Sequence, residues 1–178
     1  MTRPSSVSLF SLALAALSLL SPALAASRTP LISSQASFFY SDFCRAEGCR
    51  FVGSGRSLAE SGGYWIKDYR YRLRGGAEVE IGRYDDPAHP ESIGDVIYAV
   101  LDFRGNGNEP LAVRFASLGL GRTVTAPQLA ACFAQARKNP AAQRRGEESW
   151  LVGGDRDRGA FCRLEAGWMK RLVVTIVD

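Results

Sequence analysis

Four cysteines, Cys44, Cys49, Cys132 and Cys162, follow an apolar amino-terminal leader, and this pairing constrains the 178-residue chain more than any other feature. The leader has Arg3 as a short positive start and an apolar run over residues 7–20. Ser21-Pro22 breaks the run, and Ala23-Leu24-Ala25 supplies small residues. That order is the pattern of a secretory signal peptide, so residues 1–25 are expected to be removed by cleavage after Ala25. The run is shorter than the roughly 20 residues a membrane span requires, so no transmembrane anchor is expected after cleavage. An exported chain meets an oxidising compartment, periplasmic or extracellular, where an even number of cysteines reads as a disulfide framework.

Four cysteines allow three pairings. Cys44 with Cys49 and Cys132 with Cys162 are expected, because the first pair is local and the second joins a helical segment to a strand-like one. A zinc site is disfavoured, since the C-x4-C spacing has no matching second pair. The chain also lacks a C-x-x-C redox motif. No cofactor is expected.

Residues 26–178 have the length of one domain. Loss of Arg3 lowers the formal net charge from +4 to +3. That is far below the dense positive surface of a nucleic-acid binder, so no specific nucleic-acid partner is expected.

Local patterns suggest an α+β fold, a mainly antiparallel sheet built from hairpins with two helices packed on it. Ser34 is positioned to cap a first helix carrying Ala36, Phe39, Phe43 and Ala46, with Gly48 as its stop. Residues 50–53 read as a short strand, and Gly53-Ser54-Gly55 with Ser61-Gly62-Gly63 brackets a flexible loop. The second helix has the capping-box pair Thr125 and Gln128, followed by Leu129, Cys132, Phe133 and Ala136 at helical spacing. Residues 96–103 read as a strand. The Gly105-Asn106-Gly107-Asn108 turn then suggests a hairpin with residues 111–116. Three strands are expected at residues 150–152, 160–165 and 169–177, and the last is apolar on both faces, as an interior strand should be.

In the hairpin over residues 64–84, Trp65, Lys67, Tyr69, Tyr71 and Leu73 alternate with Asp68, Arg70, Arg72 and Arg74. A three-residue Gly75-Gly76-Ala77 loop keeps both faces consistent and pairs Arg74 with Glu78 and Arg72 with Glu80. Arg70, Arg72 and Arg74 are the leading binding candidates, since guanidinium groups suit carboxylates or phosphates, although that register would neutralise most of them within their own hairpin.

Asp85, Asp86 and His89 are candidate metal ligands in one loop, but nothing in their spacing forces convergence. Gly55-Arg56-Ser57-Leu58-Ala59 resembles a nucleophile elbow only superficially, because it lacks the strand-to-helix context. Gly119-Leu120-Gly121 lacks a dinucleotide or phosphate-loop signature and reads as a reversal or a close backbone approach. Asp155 and Asp157, alternating with Arg156 and Arg158, read as a self-compensating hairpin tip.

These observations favour a small exported non-enzymatic protein that binds an envelope component or another secreted protein. One alternative is a secreted hydrolase using two of Asp68, Asp85, Asp86, Asp95 and Asp102. Another is a structural envelope protein that assembles through sheet edges.

Overall fold

The computed structural model describes residues 38–59, 63–90, 94–105, 107–140, 149–155, 158–165 and 169–176. The expected signal peptide, the Ser34 cap and residues 156–157 of the last hairpin tip lie outside them.

A 3-10 turn at Phe38–Tyr40 leads into helix α1, Asp42–Glu47. Ser41 caps this helix, accepting from the Cys44 amide, and Gly48 ends it with φ +64°. The helix is thus shorter than the spacing of Ala36 to Ala46 predicts. It is followed by strands β1 (Arg50–Leu58), β2 (Trp65–Arg72), β3 (Glu78–Tyr84) and β4 (Val96–Phe103). Helices α2 (Glu109–Leu120) and α3 (Ala126–Lys138) come next, then strands β5 (Ser149–Asp155), β6 (Arg158–Glu165) and β7 (Met169–Ile176). All strands join one antiparallel sheet in the order β1-β2-β3-β4-β7-β6-β5. The fold is α+β.

Opposed residues in a ladder point to the same side. Tyr71, Val79, Leu101, Leu172 and Cys162 form one row. Tyr69, Ile81, Ala99, Val174 and Ala160 form the next. This face packs under α2 and α3, which contact β4, β5, β6 and β7. The core includes fully buried Leu101, Leu172, Val174 and Phe115. Burying each such aliphatic or aromatic side chain contributes about 1.5–3 kcal/mol. Strand β7 is interior as expected, and Val173, on its opposite face, is also buried.

Disulfides join Cys44 to Cys49 and Cys132 to Cys162, with Cα separations of 5.0 and 5.9 Å. The first closes the end of α1 and the second fastens α3 to β6. The capping box of α3 is formed by Thr125 and Gln128 as its sequence predicts.

Residues 111–116 are helical, which corrects the expected second hairpin. Leu111, Ala112, Phe115, Ala116 and Leu120 fall on one buried stripe, and Glu109-Pro110 supplies an acidic first turn with proline at its start. Within Gly119-Leu120-Gly121, a Cβ on Gly119 would meet both Val174 methyls at 3.0 Å, and Gly121 closes α2 at φ +67°. These glycines therefore serve helix packing and reversal.

The β2–β3 hairpin has a three-residue loop, but it is Arg74-Gly75-Gly76, closed by the Leu73 amide donating to the Ala77 carbonyl at 2.8 Å, with Gly76 at φ +81°. Arg72 therefore lies opposite Glu78 and Arg70 opposite Glu80. This corrects the register while leaving every residue on its expected face.

Candidate functional site

The sheet face away from the helices carries three rows that contain polar side chains. One is Arg72, Glu78, Asp102 and Arg171. The second holds Arg70, Glu80, Val100 and Val173. The third holds Asp68, Gly82, Tyr98 and Thr175.

In the first row Arg171 binds Asp102 in bidentate fashion, with both contacts at 2.8 Å, and also donates to Glu165. The Asp102 hydrogen bond raises the guanidinium pKa further, against the opposing effect of burial. Arg72 is paired with Glu78 at 2.7 Å. Glu78, Asp102, Glu165 and Arg171 border a cleft of about 550 Å³ at the end of the sheet where β3 and β7 begin.

In the third row Tyr98 reaches across Gly82 to β2. Its hydroxyl lies 2.5 Å from Asp68 Oδ1 and 3.2 Å from Glu80 Oε1, while Ser57 donates to Asp68 Oδ2 at 3.0 Å. A phenol has one hydrogen for these two carboxylates. Burial, reinforced by the Asp68 charge, raises the Glu80 pKa. Burial and the Asp68 hydrogen bond raise that of Tyr98.

The arginine candidates have different environments. Arg72 is neutralised by Glu78, and Arg74 sits in the turn with its guanidinium against Gly48. Arg70 is exposed and has no ion-pair partner among the described residues. The expected Arg74–Glu78 and Arg72–Glu80 ladder is replaced because the turn closes one pair earlier.

Asp85 is held by Arg56 at 2.8 Å. Asp86 Oδ1 accepts from the Ala88 amide, and the His89 ring packs beside Tyr84. Among the described residues, no three His, Cys, Asp or Glu side chains are grouped as a metal site. Ser57 lies on β1, in a strand rather than at an elbow. Of the proposed catalytic aspartates, Asp68 shares the Tyr98 hydroxyl with Glu80 and Asp102 shares Arg171 with Glu165, so the sequence reading missed Glu80, Tyr98, Glu165 and Arg171. Gly82 was the available signal, since a glycine inside a strand marks a close approach.

The remaining feature is β1, an edge strand of nine residues, eight of them exposed. It includes Gly53-Ser54-Gly55, which corrects the expected glycine loop. Among the described residues its sole ladder is with β2. The Ala59 amide donates to Tyr64, and the Asp85 amide donates to the Trp65 carbonyl. Ala59 therefore faces β2 while Trp65 faces β3. Alternation directs the backbone groups of Leu58, Arg56 and Ser54 outward. Exposed Phe51 and Leu58 lie on this strand, with exposed Trp65 directly opposite Leu58. Phe51 and Phe39 both pack on Tyr71, and the Arg56 guanidinium lies over Trp65.

No helix among the described residues is long and apolar enough to cross a membrane. Neither a protein-family model, nor a curated protein, nor a solved structure matches this chain.

Proposed function

We propose that this is an exported, disulfide-stapled interaction domain of the periplasm or extracellular space, and that it binds an envelope component or secreted protein through the edge of β1. The carrying observation is the exposed nine-residue edge, with outward backbone groups at Ser54, Arg56 and Leu58 and large apolar side chains beside them. Such an edge can accept an additional strand: main-chain hydrogen bonds supply affinity and alternate side chains supply specificity. The two disulfides and the apolar leader support export.

A carboxylate-dependent hydrolase is the second reading, favoured by Asp68 and Glu80 meeting at the Tyr98 hydroxyl. It is weaker because these groups do not line the cleft, whose Asp102 and Glu165 are held by Arg171. Assembly through sheet edges would use the same β1 strand with another copy of the chain as occupant.

The test is cross-linked recovery of partners from the native compartment with tagged protein and its Ser54→Pro variant. Proline removes an outward amide without removing a β1–β2 hydrogen bond. The expected result is a partner lost with Ser54→Pro and retained with Ser54→Ala. Equal recovery with both, or glycan or peptide cleavage abolished by Glu80→Gln, would overturn the binding reading.

A further inference from the structure

The side chains on and beside β1 restrict what can dock there. On the open face β1 presents Gly53 and Gly55, and a Cβ at either would have nothing within 4 Å. Gly53 lies directly opposite Arg70, and Arg50 lies opposite Arg72 on the same face. Arg50 and Arg70 are exposed and have no ion-pair partner among the described residues. Glu80, opposite Arg70, is instead drawn toward Tyr98.

A strand added outside β1 would place the residue facing Gly53 roughly 10 Å, two strand spacings, from the Arg70 backbone. An arginine and a carboxylate side chain span that distance between them, and the bare glycine leaves their path open. On the other face, the added strand would meet Phe51 and Leu58. The bulge between Phe51 and Gly53 is what puts an aromatic on one side and the glycine floor on the other.

Resting on the edge-binding reading, we propose that the occupant is an extended acidic polypeptide segment. It places a carboxylate on the open face opposite Gly53, where Arg70 reaches it, toward the Arg50 end of the strand and away from Asp68, which lies opposite Gly55; its apolar residues alternate to cover Phe51 and Leu58. A second copy of the chain fits poorly, because it would bring the exposed arginines at positions 50 and 70 of two edges onto one face, where Asp68 and Glu80 are already engaged by Tyr98.

The experiment titrates the mature protein with labelled ten-residue peptides alternating Val or Phe with Glu, Ser or Lys, read by fluorescence anisotropy. The Glu peptide should bind at least tenfold more tightly than the Ser peptide, and the Lys peptide more weakly than either. Arg70→Ala, and independently Gly53→Val, should abolish the Glu-over-Ser preference. Equal Glu and Ser binding, or a preference that survives Arg70→Ala, overturns the acidic assignment. The edge reading still holds if Ser54→Pro blocks both peptides. Binding of no peptide, or binding unaffected by Ser54→Pro, overturns the edge reading itself. Dimerisation in sedimentation that Ser54→Pro abolishes overturns the assignment in favour of a second copy.

Discussion

The ring of Tyr98 occupies the space that a side chain at position 82 would need: a Cβ on Gly82 would sit 2.4 Å from its Cε1 and Cζ. Gly82 thereby lets a residue of β4 cross β3 and hydrogen-bond with Asp68 on β2. Gly82→Ala should displace the ring and cost about 1–3 kcal/mol, the usual range for overpacking. Chemical denaturation of Gly82→Ala, Tyr98→Ala and the double variant checks this. The double variant should be far less destabilised than the sum of the singles, and additive losses would contradict the contact.

Glu80 gives an unusual pH dependence. Burial, with the Asp68 charge, raises its pKa above the ordinary 4.5, so the folded state holds the proton more tightly than the unfolded state. Its stabilising contribution is present below the ordinary value and is lost as pH rises through the raised one. Glu80→Gln should match wild-type stability in acid and exceed it progressively above that window. Denaturation curves that stay parallel across pH would contradict the assignment.

The two disulfides should differ in effect. The loop-entropy model gives about 2 kcal/mol for Cys44–Cys49 and nearer 4 for Cys132–Cys162, whose sequence separations are 5 and 30. Urea denaturation of the paired alanine variants checks this ordering, and free-thiol titration of the wild type should find no reactive cysteine among these four.

Arg171 should be the most sensitive charge on the open face. Arg171→Met leaves Asp102 without its bidentate partner and should cost about 1.5–3 kcal/mol, the range for hydrogen bonds to charged groups. The second change, Asp102→Asn, should add little to that loss. A double-mutant cycle with no coupling would remove the pair from the account.

Much of this framework is legible in the residues. Thr125 and Gln128 mark α3 because the capping box is a local device, and the apolar run at β7 marks an interior strand because both its faces must be covered. The failures have physical causes. Closure of the hairpin at Leu73–Ala77 or at Arg74–Glu78 keeps the same faces, so alternation alone cannot choose between them. Gly53 and Gly55 imitate a loop, yet an edge strand with an open face tolerates them because nothing there requires a side chain. Helix α2 was hidden by the turn residues before it, although Leu111, Ala112, Phe115 and Ala116 repeat at helical spacing. Glu80 and Tyr98 meet only through strand order, which no local pattern contains.

Site-specific photo-cross-linking in the native host tests the β1 edge most directly, with the reactive residue at Ser54 or Leu58 and, as a control, at Gln135 on the exposed side of α3. Adducts with a partner protein at Ser54 and Leu58, and none at Gln135, are the predicted result. Adducts confined to Gln135, or none at either β1 position, would contradict a binding role for this edge.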